Sequence, residues 1–276
     1  MRKIEDSNID FEILISTQSQ TSLDFLNPMF DGLDYRDYNI LIINQNINSQ
    51  DLISTYPTIR VINSKESGLA KSRNLAIQNC LAQICLFADD DVVYKHDFKQ
   101  KIISGFERKP SSEIITFKME DEYGNDFRKY PNTKFHTKKT VSSVNSVVIA
   151  FRKKSIHGVL AFDVKFGLNA EFPTGDEYVF LRNALNRNKA VCFEPEVILR
   201  HPSESSGQFA GRDKNIFARA AIFYKFHGTL SYFKLIHHIY LLKKKNMITI
   251  GQMLYKFKIG LKGIFRYKQL YLKEVK

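Results

Sequence analysis

Four short apolar runs, FEILIS at 11–16, NILIIN at 39–44, IRVI at 59–62 and QICLFA at 83–88, each lead into polar residues, and they restrict the fold more than anything else in the chain. Runs this short, rich in β-branched residues and apolar throughout, read as strands buried on both faces, as parallel sheets require. Helical spacing lies between them, near 21–33 and again over about 69–82 after Gly68. Such alternation predicts βαβ units with right-handed crossovers, which bring the polar strand ends together along one edge of a sheet. A ligand is expected to bind at that edge.

Further along, 112–118 and 144–151 read as strands on either side of a polar, lysine-rich loop near 120–140. A loop of that length is expected to be functional or mobile. Residues 96–105 and 175–187 read as helices, 190–199 as a strand, and everything from about 212 onward as helix. With 276 residues, 43% of them hydrophobic, the chain can bury one full domain and carry an appendage. The expected division is an α/β catalytic domain over 1–212 and a basic helical extension over 213–276. There is no internal repeat and no low-complexity segment.

Three carboxylates, Asp89, Asp90 and Asp91, follow the apolar LFA directly. Their mutual repulsion calls for a cation, and Mg²⁺ or Mn²⁺ takes one or two carboxylates together with phosphate and water oxygens. In an extended segment alternate residues point the same way, so Asp89 and Asp91 are expected to face one ligand. The bland alternative is a solvated turn whose aspartates cap the helix near 96–105. Arg73 falls on the inward stripe of its helix with Leu69, Ala76, Ile77 and Cys80, and a guanidinium there needs an anion. Asp89–Asp91 or a substrate diphosphate could supply it, as a salt bridge or as a ligand contact. Lys71 adds a second cation at the helix amino end, where phosphate binds readily. Asp176 and Glu177 open another helix. Thr174 and Glu177 have capping-box spacing, which leaves Asp176 the freer carboxylate.

In order and spacing, ILISTQSQ, LIINQN, SGLAKSRNLAI, LFADDDVVY, TGDEYVFLRNAL and VILRHPSESSG resemble the family 2 glycosyltransferases of GT-A fold, over roughly residues 11–207. The resemblance implies a Rossmann-like, mostly parallel sheet flanked by helices. It implies inverting transfer of a sugar from a nucleoside diphosphate donor, UDP-linked, to a hydroxyl of a glycan or lipid-linked acceptor in bacterial surface-polysaccharide synthesis. By similarity Asp89 and Asp91 belong to the Mn²⁺ or Mg²⁺ site, with His201 beside the metal or diphosphate. Thr17, Gln18, Asn44, Asn46, Lys71, Arg73, Asp89 and Asp90 would then line the donor. Inversion needs one base on the ring face opposite the leaving group. Position in the motif nominates Glu177, and the capping argument nominates Asp176. The sequence departs from the family at Thr17, where proline is usual, at Asn44 or Asn46, where aspartate is usual, and in the reversed order of the Asp176–Glu177 pair. Those departures keep an inactive GT-A-like scaffold in view. A sugar-phosphate nucleotidyltransferase would place a glycine-rich, arginine-bearing loop after the first strand, and STQSQTSLD has no glycine.

Charge is divided unevenly. From Lys214 to Lys276 there are 14 Lys or Arg against the single acid Glu274, so this stretch carries +13 of a net +12 and residues 1–213 carry −1. Tyr255, Ile259, Lys262 and Arg266, three or four apart, illustrate how apolar and basic positions adjoin. Such a segment can lie in an anionic leaflet, gaining on the order of 1 kcal/mol per nearby cation. Its alternative is a helical subdomain packed on the core with a solvated lysine face. No nucleic-acid partner is expected. The start shows no secretory signal pattern, no run nears the ~20 apolar residues of a membrane span, and Cys80, Cys85 and Cys192 lack metal-ligand spacing. The expected location is cytoplasmic, peripheral to the inner face of the cell membrane. No sequence feature bears on oligomeric state.

Overall fold

A computed structural model describes residues 10–47, 50–201 and 210–274. By contact the chain divides into two compact units, Met1–Phe162 with Phe180–Ser203, and Asp163–Val179 with Glu204–Lys276.

The first unit contains β1 (Phe11–Gln18), α1 (Leu26–Met29), β2 (Ile40–Gln45), β3 (Ile59–Ser64), α2 (Leu69–Asn79), β4 (Ile84–Asp89), β5 (Val93–Tyr94), α3 (Phe98–Arg108), β6 (Ile114–Glu120), β7 (Ile149–Arg152), α4 (Lys153–Ile156) and β8 (Val191–Arg200). The helix α5 (Asp176–Asn186) begins in the second unit, and its residues from Phe180 onward belong to the first. One eight-stranded sheet has the order β3-β2-β1-β4-β7-β6-β8-β5. β3, β2, β1 and β4 are mutually parallel. β7 then runs antiparallel to β4 and β6, β6 and β8 pair in parallel, and β5 returns antiparallel on β8. The expected apolar runs are therefore strands of a mixed α/β sheet that is mostly parallel. β1 and β2 are buried along nearly all their length because helices and loops cover both faces.

Two expected elements come out shorter. The helix foreseen near 21–33 is reduced to the single turn Leu26–Met29. Ahead of that turn the Ser22 hydroxyl accepts from the Asp24 amide, 3.3 Å, competing with helical pairing. The strand foreseen over 144–151 begins only at Ile149, because Ser146–Val148 make a 3₁₀ turn. The stripe on α2 also shifts: Ala70, Ser72, Arg73, Ala76 and Ile77 are buried, Leu69 is half-buried, and Cys80 lies just past the helix end.

The polar segment at 120–140 is tied to the sheet. The Tyr130 hydroxyl donates to the Met119 carbonyl and accepts from its amide, both at 2.9 Å. The His136 ring sits between the hydroxyls of Thr116, 2.7 Å, and Thr140, 3.0 Å. Burial pushes the His136 pKa down to about 4.

In the second unit α6 (Asp213–His227), α7 (Ser231–Lys244) and α8 (Met253–Glu274) form a helical cluster. The segment Asp163–Val179, expected with the sheet domain, packs here instead: Phe166, Phe172 and Val179 are buried against Ala218, Ala221 and Ile222 of α6 and Tyr267 of α8. Ile216, Ala220, Leu235, Ile239, Leu242, Ile248 and Ile264 make a second buried cluster. Lysines inside this unit are paired, Lys225 with Asp163 at 2.9 Å and Lys256 with Asp213 at 2.7 Å. The stripe singled out on α8 is largely engaged. Arg266 binds Glu171 at 2.6 Å, the Tyr255 hydroxyl donates to Asp213 at 2.6 Å, and Ile259 packs against the second cluster. Two glycines of α8 allow close approach: a Cβ on Gly260 would collide with Leu235 of α7, and one on Gly263 with the Phe217 carbonyl of α6.

Two outcomes follow from this packing. Gly263→Ala should lower stability by about 1–3 kcal/mol in urea denaturation, because the methyl must push α6 from α8. Helix propensity alone would give the opposite sign, a gain of up to ~1 kcal/mol, so a stabilised variant would refute the close contact. His136 and His238 are both pushed down to about 4 by burial, so the folded state resists their protonation while the unfolded chain accepts it below about 6.5. Their contribution to stability is intact above pH 6.5 and lost as the pH falls towards 4. Urea unfolding across that interval should show proton uptake on unfolding, and His136→Gln should flatten the slope; an unchanged slope counts against the buried neutral ring.

Candidate active site

Parallel pairing sets the site. Register places Thr17 beside Asn44, Asn44 beside Asn63, and Ser16 beside Asp89, so the carboxyl ends of β1, β2, β3 and β4 form one polar edge. The backbone leaves the extended form at Asp90 and turns through Asp91 before β5. Alternation along a strand therefore does not carry from Asp89 to Asp91, and the three carboxylates go to three different partners.

Asp89 ends β4 and is held by Arg73 of α2. The Arg73 guanidinium, 2% exposed, donates to Asp89 Oδ1 at 2.8 Å and Oδ2 at 3.1 Å and to the Ser146 hydroxyl at 2.6 Å. It also lies 5.5 Å from the centre of the Phe162 ring. A buried cation so enclosed needs this anion, and the anion is aimed by it. Asp90 accepts from the Thr17 hydroxyl and from Gln20 Nε2, the latter at 3.4 Å. Asp91, more than half exposed, has its Oδ1 3.5 Å from Nε2 of His201, the residue just past β8. Partial burial raises the Asp91 carboxyl above its ordinary value; His201 opposes the rise, and Asp89 and Asp90 add to it.

The β2 end is a buried amide network. Asn44 Nδ2 donates to the Gln20 carbonyl at 2.9 Å and to Asn63 Oδ1 at 3.0 Å, while its Oδ1 accepts from the Gln20 amide. Asn44 thus fixes the loop after β1. Asn46 is buried as well and donates to Asp51 at 2.6 Å. Gln45 clamps Gly68, accepting from its amide at 3.0 Å and donating to its carbonyl at 3.1 Å, and so sets the start of α2. Gln18 is exposed at the end of β1. Lys71 is exposed too, with its ammonium 2.9 Å from Glu66.

In the second unit Asp176 is the first residue of α5 and is buried, while Glu177 is half-buried. The Val179 amide donates to the Gly175 carbonyl at 3.0 Å, so the helical frame starts at Gly175, one residue later than the Thr174–Glu177 spacing predicts. Gly167 presses on Asp176: a Cβ there would lie 3.0 Å from the Asp176 carboxyl carbon, and its φ of +107° also favours glycine. The PSESSG part of the last motif falls at 202–207, outside the described residues.

As a metal site, Asp91 and His201 fit one divalent ion: ligands bound at about 2.0–2.2 Å can stand 3.5 Å apart. Asp89, expected to join them, is committed to Arg73. Among the described residues no three acid, histidine or cysteine side chains are grouped to hold an ion. Sequence reasoning missed Ser146, Gln20 and Asn63: Gln20 closes the ILISTQSQ motif without being singled out, Ser146 and Asn63 lie outside the motifs, and Ser146 reaches Arg73 across 73 residues of chain.

The model of glycosyl transferase family 2 matches residues 20–161, just over half of the chain. The chain belongs to glycosyl transferase family 2. The family assignment makes it a glycosyltransferase, and solved glycosyltransferases share its fold. Its structure resembles S. aureus TarS 1-349 with a TM-score of 0.56 at 11% identity, covering 96% of this chain and 92% of that one. TarS 1-349 in complex with UDP-GlcNAc aligns at 0.51 and 10% identity over the same shares. The mannosyltransferase PcManGT from Pyrobaculum calidifontis, in complex with GDP-Man and Mn²⁺, aligns at 0.56 and 11% identity, covering 97% of this chain and 80% of that one. No curated protein matches the chain in sequence.

The Arg73–Asp89 pair lends itself to a double-mutant cycle. Arg73→Met should destabilise this glycosyltransferase by about 3 kcal/mol in urea unfolding, and adding Asp89→Asn should recover about 1–2 kcal/mol. Strict additivity of the two changes would show that the pair is not coupled.

Proposed function

We propose that this glycosyltransferase takes its sugar from a UDP-linked donor, inverts the anomeric centre, and delivers the sugar to a hydroxyl of a glycan or lipid-linked acceptor in surface-polysaccharide synthesis. One observation carries the reading: three aspartates in succession close β4, the second bonded to Thr17 and the third beside His201. The TarS complex with UDP-GlcNAc supports a uridine donor, and the Mn²⁺ in the mannosyltransferase complex supports a divalent cation.

Asp91 and His201 would hold Mn²⁺ or Mg²⁺, with diphosphate oxygens and water completing its shell. Bound there, the ion supplies positive charge against the diphosphate as the anomeric carbon–oxygen bond breaks. Arg73 directs Asp89 through two hydrogen bonds. Thr17 and Gln20 hold Asp90 in the same way, at the edge where the donor's polar groups would lie. Asn44, saturated by Gln20 and Asn63, acts on the donor through the loop it fixes. Glu177 is the base: it takes the acceptor hydroxyl proton as that oxygen attacks the anomeric carbon from the face opposite the nucleoside diphosphate. Position in the family motif and its partial exposure both favour Glu177. Asp176, buried against Gly167, shapes the turn that presents it.

No helix among the described residues is long and apolar enough to cross a membrane. The excess of basic residues after Lys214 supports a peripheral place on an anionic inner leaflet, where a lipid-linked acceptor would be met.

Donor hydrolysis and transfer with added Mn²⁺ test the chemistry. Asp91→Ala should lower turnover by about a thousandfold, the scale of several kcal/mol of charge stabilisation. Glu177→Gln should lower kcat by about 10²–10⁴ while donor binding persists in a thermal-shift titration. Unchanged transfer in Asp91→Ala would sink the metal role, and full kcat in Glu177→Gln would remove that residue as base.

A further inference from the structure

The helix α7 is apolar on two opposite sides. Its inner side, Leu235, Ile239 and Leu242, is buried in the cluster it shares with α6 and α8. Its outer side carries Phe233, Ile236 and Tyr240, exposed by 72%, 54% and 51%, and Leu230, just before its first residue and 60% exposed, stands in line with them. Steps of three, three and four residues place these on one stripe, about half a turn from the buried one. Lys234 and Lys243 flank the stripe, Lys244 falls on it one turn past Tyr240, and Lys245 follows. No acidic residue occurs between Asp213 and Glu274.

Charge decides what can cover this face. A second copy laid on it would bring two lysine sets together with no acid on either helix to offset them. A leaflet of anionic lipid offers hydrocarbon to Phe233 and Ile236 and phosphate to the lysines, whose ammonium groups can reach outward to the headgroups. α7 has 14 residues, too few to cross a bilayer, so it would lie along the surface.

Resting on the peripheral-membrane reading above, we propose that the outer stripe of α7, with Lys243–Lys245 at its end, is the element by which the chain docks on an anionic lipid surface. This narrows the expectation for 213–276 to α7; of the α8 positions used to illustrate it, Tyr255, Ile259 and Arg266 are engaged within the unit.

Co-sedimentation of the full chain with vesicles tests it, using mixed phosphatidylglycerol and phosphatidylcholine against phosphatidylcholine alone. The wild-type chain should bind the anionic vesicles preferentially and release with salt. Phe233→Ser with Ile236→Ser should weaken that binding about ten- to a hundredfold, and Lys243→Glu with Lys244→Glu should weaken it similarly and blunt its salt dependence. Both double variants should keep solution hydrolysis of the donor, which shows that they fold. Ile53→Ser with Tyr123→Ser, which alters exposed apolar residues of the first unit, should bind like wild type. If the wild-type chain ignores anionic vesicles, the membrane reading itself falls. If it binds them and the Phe233/Ile236 variant binds equally, only the α7 assignment falls. A wild-type dimer that this variant dissolves would overturn the assignment in favour of a second copy.

Discussion

A guanidinium enclosed in the sheet domain has no stable place without an anion, and that single requirement organises the end of β4. Arg73 is the largest fully buried side chain among the described residues. It reaches Asp89 from α2, Ser146 from the turn before β7, and the Phe162 ring. Three separate parts of the chain are thereby fixed around one carboxylate. With Asp89 spoken for, Asp90 and Asp91 are left to the turn, where Thr17, Gln20 and His201 receive them. The charge pair is thus a positioning device for its neighbours as much as a contact in its own right.

Much of this was legible in the sequence. Buried strands announce themselves by unbroken apolar runs, and the helix between β3 and β4 marks a parallel crossover, so the polar edge and its aspartates could be placed from residue order. Arg73 declared its need for an anion by falling on an apolar helix face. The unreadable part concerns bonds made across long stretches of chain. Ser146 sits in a segment that reads as strand, yet it opens a 3₁₀ turn and its hydroxyl accepts from Arg73. Asn44 reads as a donor contact, and its bonds to Gln20 and Asn63 carry no signal in the local pattern. The extended-strand argument for Asp89 and Asp91 failed at the turn, because spacing gives direction only while the backbone conformation persists.

The second unit shows the same limit on a larger scale. Its basic character and helical periodicity were plain, yet which face is buried depended on partners unseen in the local pattern. Arg266 and Tyr255, which by spacing share one stripe of adjoining apolar and basic positions, are tied to Glu171 and Asp213. Phe166 and Phe172, far upstream, supply part of the core on which α6 and α8 close. Gly263 carries no amphipathic signal at all, and it decides how near two of the helices come.

The strand order also has a consequence for biosynthesis. The four parallel strands β3, β2, β1 and β4 are complete once residue 89 has left the ribosome, and Arg73 and Asp89 are both within that length. Ser146 and β7 emerge some sixty residues later, and β8, which must seat between β6 and β5, later still. A nascent chain can therefore form the charge pair early with its cation only partly enclosed. Until β8 arrives, β6 remains an open edge of paired-but-unfinished sheet, the interval in which a translating cell has most need of a chaperone.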